Sequence, residues 1–303
     1  MSLLVGFDIG GTKAAVRIEN ADRSVAREFT VPSLDWDAEP IDAGIRWIAG
    51  TFGALDESLS SPVSALGIGA QGLDNTALML AYGAALTTRL GVPTIAVNDA
   101  ALIAPAAGLD RVIGLIAGTG AIGVGWTDEG DFLTAGGWGS VIGDDAGAAG
   151  IVREAVKRAL GRHDDGFDDP LLGVLLESFG VADAERLARA VNDDPTTENW
   201  GPHAPAVFDA ARNGSIEAGI VVEAAAQHLA RLVDQLLAHG AVGPDVVAAG
   251  SVVASQPVLF DRMSALVTAR HESLRVRLLD RDPVVGAVEL AARLVGAGAP
   301  LPR

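Results

Sequence analysis

Residues 3–18 read LLVGFDIGGTKAAVRI, two apolar runs joined by a glycine turn, and residues 112–126 repeat the pattern as VIGLIAGTGAIGVGW. The apolar runs predict β-strands, so each unit is a strand, a turn and a second strand. Because glycine permits positive φ and close approach, each turn can present bare backbone N–H groups to a phosphate. Two such units predict two related half-domains that face one nucleotide, which indicates phosphoryl transfer.

The first turn also carries side chains that suit a nucleotide. Asp8 precedes the turn, Gly10, Gly11 and Thr12 supply N–H and O–H donors, and Lys13 follows them. We interpret Asp8 as a carboxylate near Mg²⁺ and the donors as phosphate ligands. A hairpin turn without a ligand also explains the two glycines. The acid favours the ligand, because a tight hairpin does not need that carboxylate.

The second turn resembles a dinucleotide-binding motif only in part. Residues 118–123 read GTGAIG, which fits G-x-G-x-x-G directly after a predicted strand. That motif requires a helix next, whereas residues 124–130 read VGWTDEG and predict a strand and a turn. Gly118, Thr119 and Gly120 are therefore predicted to bind phosphate in a hairpin turn.

Length and charge limit the class of partner. The chain has 303 residues, of which 49% are hydrophobic and 20% charged, enough for one large domain or two ordinary ones with a full core. Its formal net charge of −17 would repel both nucleic acid and an anionic membrane surface, so neither is an expected partner. ATP with a divalent cation remains compatible, because backbone N–H groups and Mg²⁺ can bind phosphate inside an acidic shell.

The residue types also exclude several kinds of site. The chain has no cysteine, which excludes disulfides, iron–sulfur clusters and thiolate zinc sites, and its five histidines show no metal-binding spacing. The first apolar run lacks a charged segment before it and continues into the glycine turn, so it predicts a strand and not a signal peptide. No uninterrupted apolar stretch reaches the roughly 18 residues that a membrane span needs. We expect a cytoplasmic protein.

Strands and helices are predicted to alternate along the rest of the chain. The predicted helices are 41–57, 76–90, 148–160, 216–239, 257–270 and 284–296, and the predicted strands are 64–70, 94–97, 245–249 and 274–278. The polar, interrupted stretch 161–215 predicts loops and helices of a lid-like insertion. Because each half opens with a hairpin, the expected fold is α/β with mixed sheets and not purely parallel ones.

Several polar residues at predicted strand ends or helix starts are candidates for chemistry. Asp99 follows a short buried strand and could accept the proton of an attacking hydroxyl, or it could cap the next helix. Asp144 and Asp145 also precede a helix, and their functional alternative is hydrogen bonding to ligand hydroxyls. Gly250 and Ser251 follow an apolar strand, where they could lie against adenine or ribose or form an ordinary strand–helix turn.

Together these segments resemble the N-acetylglucosamine kinase family, grouped with the BadF/BadG/BcrA/BcrD ATPases in the sugar kinase–Hsp70–actin superfamily. The segments occur in family order and read GFDIGGTK (6–13), NDA (98–100), AGTG (117–120), GWGSVIGD (137–144), AGSVV (249–253) and DPVVGA (282–287). The resemblance covers nearly the whole chain, and GWGSVIGD is its most specific segment.

The resemblance implies two ribonuclease H-like lobes, as in actin-like ATPases, with mixed sheets around a nucleotide cleft. Residues 1–108 plus 283–303 would form the N-terminal lobe and residues 109–282 the C-terminal lobe, which would bind most of the MgATP. The resemblance also implies that Asp99 is the base for the 6-hydroxyl of a sugar, and that Asp8 holds Mg²⁺ through water.

It further implies the ligand contacts. The expected cofactor-binding residues are Gly10, Gly11, Thr12, Lys13, Gly118, Thr119, Gly120, Gly250 and Ser251. The expected substrate-binding residues are Asp74, Asn98, Gly118, Asp144 and Asp145. The expected ligands are therefore ATP, Mg²⁺ and a small amino sugar. Family members commonly pair, so a homodimer is also expected.

The sequence departs from the family on the sugar side. Pro32–Trp36 stands where relatives carry an asparagine, and Asp145–Ala148 replaces their Glu-Gly-Ser-Ala. The carboxylates of Asp35, Asp74 or Asp145 could pair with the free 2-ammonium of glucosamine. The expected function is phosphoryl transfer from ATP to the 6-hydroxyl of N-acetylglucosamine or glucosamine. The alternatives are a kinase of another sugar, such as anhydro-N-acetylmuramic acid or a hexose, and a BadF-type ATPase without a sugar substrate.

Overall fold

The computed structural model describes residues 2–11, 13–57, 59 and 61–296, and within them the chain forms two five-stranded sheets. The first sheet comprises β1 (Leu3–Ile9), β2 (Lys13–Asn20), β3 (Val25–Pro32), β4 (Val63–Ala70) and β5 (Thr94–Asn98). The second comprises β6 (Ile113–Ala117), β7 (Ala121–Trp126), β8 (Phe132–Gly136), β9 (Asp245–Ala249) and β10 (Arg275–Leu278).

Helices follow the strands in both halves. They are α1 (Ile41–Asp56), α2 (Thr76–Leu90), α3 (Ile103–Ala106), α4 (Ala148–Asp164), α5 (Pro170–Phe179), α6 (Ala184–Asn192), α7 (Thr197–Trp200), α8 (Ala204–Arg212), α9 (Ile216–Ala238), α10 (Ser251–Ser255), α11 (Pro257–Arg270) and α12 (Pro283–Gly296). Every predicted helix is present, with ends within a few residues of the prediction. Across the part of the chain that the structure describes, none of the helices combines the length and apolar character needed to cross a bilayer.

The two sheets have the same connectivity. The first has the order β3-β2-β1-β4-β5, with an antiparallel β1–β2–β3 meander and parallel β1, β4 and β5. The second has the order β8-β7-β6-β9-β10 and repeats that arrangement strand for strand. The predicted mixed α/β fold is confirmed. Because parallel strands end at one edge of a sheet, the turns after β1, β4 and β5 lie together, as do those after β6 and β9.

The two faces of the first sheet bury different partners. Phe7 and Tyr82 are fully buried in the cluster formed with α1 and α2, and each such side chain stabilises the fold by about 1.5–3 kcal/mol. On the other face α12 packs against β1 and β4. A Cβ at Gly67 would lie 1.9 Å from the carbonyl oxygen of Ala287. The close approach of α12 therefore depends on glycine in the strand.

The stretch 161–215 is built into the second half and is not a lid, contrary to the prediction. Its helices bury Leu171, Trp200 and Phe208 in the same core cluster as α4 and α9. The acids that interrupt its sequence are helix caps: Asp169 accepts from the Leu171 amide, and Asp183 accepts from the Arg186 amide. Polar residues here mark helix starts and not a loosely attached segment.

The chain returns to the first sheet at its end. There α12 crosses α3 so closely that a Cβ at Gly286 would lie 2.2 Å from the Leu102 carbonyl oxygen. This packing supports placing α12 with the N-terminal lobe. The division into 1–108 plus 283–303 and 109–282 stays a prediction, and the C-terminal end of the chain lies outside the described residues.

Candidate active site

The first glycine turn is closed by its own backbone. The Gly10 amide donates to the Lys13 carbonyl oxygen at 3.1 Å, and the Ser33 hydroxyl donates to the Gly10 carbonyl oxygen at 2.6 Å. Gly11 and Lys13 are exposed. Thr12, a predicted phosphate ligand, lies outside the described residues. The turn is thus fixed by β1 and β2 and by the segment that follows β3, while its tip faces solvent.

Asp8 lies just before this turn and carries a perturbed pKa. Burial and the Asp99 and Asp282 carboxylates together raise the pKa of Asp8 to about 7, while Lys13 acts to lower it. Three carboxylates therefore share one region of negative potential. No motif in the sequence marks Asp282 as a site residue. Its position directly before α12, the helix that returns to β1, is the signal that could have found it.

Asp99 lies at the carboxyl end of β5, in a short 3₁₀ turn, Asp99–Leu102. The Ala100 amide donates to Asn98 Oδ1 at 2.9 Å and to Asp99 Oδ1 at 3.0 Å, so Asn98 serves as the cap. Burial raises the pKa of Asp99 to about 6, and the nearby Asp74 carboxylate also raises it. Asn98 Nδ2 in turn donates to Asp74 Oδ1 at 2.9 Å. A partly buried carboxylate with such a pKa is suited to act as a general base.

The second glycine turn is packed against the start of α4. The Gly118 amide donates to the Gly120 carbonyl oxygen at 3.0 Å, and the Ala148 amide donates to the Gly118 carbonyl oxygen at 2.8 Å. A Cβ at Gly147 would lie 2.6 Å from Gly120 Cα. Thr119 is exposed at the tip. The positive end of the α4 dipole therefore lies beside the turn, which favours a bound anion.

Gly250 and Ser251 lie next to the second turn because β9 pairs with β6. Gly250 has a φ of +108°, and a Cβ there would lie 2.5 Å from the Ala117 carbonyl oxygen. A Cβ at Gly118 would lie 3.6 Å from the Ser251 nitrogen. The positive φ and the close approach of Ala117 both require glycine at position 250. The backbone of Gly250 and Ser251 therefore lies against the backbone of the second turn.

Asp144 lies beneath the second turn with an unpaired carboxylate oxygen. It is 9% exposed and has a φ of +55°. Its Oδ2 lies so close to Gly120 that a Cβ there would be 2.5 Å away, and its Oδ1 has no hydrogen-bond partner among the described residues. Burial raises the pKa of Asp144, while the amides of Gly139 and Ala121 lower it. A buried acceptor without a partner is costly, so a hydrogen bond from a ligand group that reaches this oxygen would be favourable.

Asp145 has different partners from Asp144. Its Oδ1 lies 2.5 Å from Arg153 Nη2, and its Oδ2 lies 3.3 Å from His228 Nδ1. One carboxylate oxygen of Asp145 is therefore paired with Arg153, and the other lies beside the His228 ring.

The predicted site residues thus fall into two groups. One joins Asp8, Asp99, Asp74 and Asn98 at the edge of the first sheet, and the other joins Gly118, Gly120, Asp144, Gly250 and Ser251 at the edge of the second. The Phe132 amide bridges the halves by donating to the Thr76 hydroxyl at 3.3 Å. The sequence motifs predict the residues of both groups, but they do not indicate that Asp282 or Arg153 lies at the site.

The site fits a Mg²⁺ ion that is held mainly by phosphate. In the part of the chain that the structure describes, no group of three or more histidine, cysteine, aspartate or glutamate side chains is arranged to hold a metal. Mg²⁺ commonly binds one or two carboxylates together with substrate phosphates and water. Burial and the neighbouring Asp99 and Asp282 carboxylates disfavour the charged form of Asp8, and a divalent cation at this carboxylate would favour it.

Comparisons with known proteins agree with this architecture. Residues 5–291 match the model of the BadF/BadG/BcrA/BcrD ATPase family. An N-acetyl-D-glucosamine kinase from Dictyostelium discoideum is 24% identical over 95% of this chain and 97% of its own length. An N-acetylmuramic acid/N-acetylglucosamine kinase from Clostridium acetobutylicum is 27% identical over 96% of this chain and 98% of its own.

A solved structure shows the same fold. It is that of a Chromobacterium violaceum protein assigned as an N-acetylglucosamine kinase, which aligns with a TM-score of 0.71 and 21% identity over 96% of this chain and 99% of its own. The duplicated sheets therefore form a known fold, and the chain belongs to the BadF/BadG/BcrA/BcrD ATPase family.

Proposed function

We propose that the protein is an ATP-dependent amino-sugar kinase that transfers the γ-phosphoryl group to the 6-hydroxyl of N-acetylglucosamine or glucosamine. The observation that carries the proposal is Asp99, a partly buried carboxylate with a raised pKa, electrostatically coupled to Asp8 beside the first glycine turn. The names of the two curated relatives support a sugar as the acceptor.

In this proposal Asp99 accepts the proton of the attacking sugar hydroxyl. Asn98 caps the 3₁₀ turn and bonds Asp74, which keeps the Asp99 carboxylate in place before the sugar binds. Asp8 would hold Mg²⁺, which when bound neutralises charge on the phosphates and orients them. The γ-phosphoryl group then needs positioning more than covalent help, and the rigid turns supply it.

The glycine turns would hold the nucleotide. The Gly10 and Gly118 amides bond within their own turns, so the N–H groups at the tips, such as those of Gly11 and Thr119, would face phosphate, with Lys13 as a further cation. Adenosine would lie along the backbone of Gly250 and Ser251, which carry small side chains or none. The unpaired Oδ1 of Asp144 would accept a hydrogen bond from a sugar hydroxyl.

The choice between acetylated and free amino sugar depends on carboxylates near the acceptor. Among the three acids considered from the sequence, Asp74 alone is coupled to Asp99. Asp145 is already paired with Arg153. If a 2-ammonium group is recognised, Asp74 is the residue we expect to pair with it.

The test is a coupled ADP-release assay with MgATP and a sugar panel: glucosamine, N-acetylglucosamine, N-acetylmannosamine, glucose, anhydro-N-acetylmuramic acid and buffer alone. We expect sugar-dependent turnover that Asp99→Asn abolishes. Asp128→Asn, at an exposed acid paired with Arg111, is the matched control and should leave turnover unchanged.

ADP release that is independent of every sugar would favour an ATPase without a sugar substrate. Turnover that survives Asp99→Asn would mean that the base lies elsewhere. Homodimer formation and a cytoplasmic location stay predictions.

A further inference from the structure

The loop between β8 and α4 holds Asp144 in an unfavourable backbone conformation. Residues 137–147 form neither helix nor strand, and Gly137, Gly139 and Asp144 in this loop have φ values of +75°, +87° and +55°. The left-handed region suits the glycines, but it costs conformational energy at Asp144. Such a residue keeps its conformation only when its surroundings hold it there.

Arg153 holds this loop from the next helix. Its Nη1 donates to the carbonyl oxygens of Ser140 and of Gly143, the latter at 2.9 Å, and its Nη2 lies 2.5 Å from Asp145 Oδ1. Its Nε donates to Glu154 Oε1 at 2.9 Å. The side chain is only 14% exposed. One guanidinium therefore fixes the residues on both sides of Asp144.

The loop also lies beside a second helix. Nδ1 of His228 in α9 lies 3.3 Å from the other carboxylate oxygen of Asp145. Burial lowers the pKa of His228, so the ring is neutral near pH 7 and Arg153 supplies the charge that pairs with Asp145. The helix that carries Arg153, α4, belongs to one core cluster with α9.

We propose that Arg153 and Asp145 are positioning residues that hold Asp144 against the second glycine turn for the sugar. This inference rests on the proposed function, in which Asp144 binds a sugar hydroxyl. It assigns Asp145 a role different from the substrate contact expected from the sequence. Asp145 acts through its ion pair with Arg153, and Asp144 touches the ligand.

The geometry predicts which kinetic constant depends on the pair. The second turn has its own bonds, between Gly118 and Gly120 and between Gly118 and Ala148, and keeps them without Arg153. Loosening the 137–147 loop should therefore weaken sugar binding more than ATP binding. Lysine preserves the charge but has no planar fork for two carbonyls and a carboxylate.

The test compares Arg153→Lys with Arg158→Lys in the sugar kinase assay. Arg158 is on the same helix and pairs with buried Glu217 at 2.6 Å, away from the loop. We expect Arg153→Lys to raise the sugar KM about tenfold or more, with little change in the ATP KM or in the Tm, and Arg158→Lys to keep both KM values. Asp145→Asn should also raise the sugar KM, and the two changes should not add in the double variant, because both loosen one hydrogen-bonded network around Asp144.

Hydrogen exchange of residues 138–147 provides a readout that does not need the reaction. We expect faster exchange in Arg153→Lys than in the wild type or Arg158→Lys. Equal sugar KM values in the two lysine variants would overturn the positioning role, and so would a rise in the sugar KM that follows a fall in Tm in both variants. Neither result would contradict the proposed kinase activity. If the wild type phosphorylates no sugar, the proposed function fails. In that case hydrogen exchange alone would test whether Arg153 holds the loop. Equal exchange of residues 138–147 in Arg153→Lys and in the wild type would reject this role as well.

Discussion

At the scale of single residues, the Asp99 carboxylate should lower the free energy of unfolding while it serves as the catalytic base. Burial raises the pKa of Asp99 from 3.8 to about 6. As pH rises, the Asp99 carboxyl loses its proton in the unfolded chain before it does so in the folded protein. The free energy of unfolding therefore falls between about pH 4 and pH 6 and stays lower above pH 6. Asp99→Asn removes the charge and should raise the Tm by about 2 °C or more at pH 7.5, with no gain at pH 4, while lowering kcat about 10²–10⁴-fold. Thermal unfolding across this pH range checks the prediction, and a lower Tm at every pH would contradict it.

The same carboxylate predicts the acid limb of the pH–rate profile. A base must be ionised to accept a proton, and Asp99 ionises in the folded protein at about pH 6. We expect kcat/KM for the sugar to fall about tenfold per pH unit below this value, because it reports the free enzyme. Initial rates at subsaturating sugar from pH 4.5 to 8 measure the limb. An acid limb near pH 4 would mean that the base titrates as an ordinary aspartate.

The sequence shows which residues matter here but not which one does what. The pair Asn98-Asp99 predicts a cap and a carboxylate, and only the structure assigns the cap to Asn98. Asp144 and Asp145 are equivalent in the sequence, whereas the positive φ of Asp144 separates their partners. Asp282 reaches Asp8 only through the return of α12, a contact between the two ends of the chain. The local sequence pattern does not indicate that two residues so far apart in the chain lie close together in the fold.

At the scale of elements, Asp169 joins two helices of the second half. It caps α5 through the Leu171 amide, and it also accepts from the Ser215 hydroxyl and the Ile216 and Glu217 amides at the start of α9. We expect Asp169→Ala to lower the free energy of unfolding by about 1–3 kcal/mol at pH 7. Asp168→Ala, at the exposed neighbour, should change it by less than about 0.5 kcal/mol. Urea unfolding of both variants checks this, and equal effects would contradict it.

The pKa of Asp169 adds a pH dependence of known sign. Hydrogen bonds to its carboxylate lower that pKa below the ordinary 3.8. The stabilisation is therefore complete above pH 3.8 and is lost as pH falls through the lower folded value. The difference between wild type and Asp169→Ala should shrink at pH 3.

These caps also explain why the stretch 161–215 was misinterpreted from the sequence. Polar interruptions are typical both of exposed loops and of short helices in series, and their spacing cannot distinguish the two. Burial of Leu171, Trp200 and Phe208 decides it, and burial depends on the distant helix α9. Longer periodic segments such as α1 and α2 were predicted correctly because their own pattern fixes their buried faces.

At the scale of the whole molecule, the duplicated unit could be predicted from the sequence, since both glycine turns lie within their own hairpins. The parallel additions β4, β5, β9 and β10 follow from alternating strands and helices. The crossing of α12 over β1 and β4 is a different case, because it depends on glycines in strands that are far away in sequence. An isolated glycine in a strand indicates a close approach without naming the partner.

Gly67→Ala tests that crossing directly. A Cβ at Gly67 would lie 1.9 Å from the carbonyl oxygen of Ala287 and 3.1 Å from the Ala291 nitrogen, and backbone atoms cannot yield as a flexible side chain does. We expect overpacking to displace α12 and to lower the free energy of unfolding by about 1–3 kcal/mol. Gly50→Ala is the matched control, since its Cβ would meet nothing within 4 Å in α1, and it should stabilise by about 0.5–1 kcal/mol. Urea unfolding gives both values, and hydrogen exchange should show the loss in β1 and β4 before β6 and β9. A Gly67→Ala protein as stable as the wild type would mean that α12 does not hold the first sheet in this way.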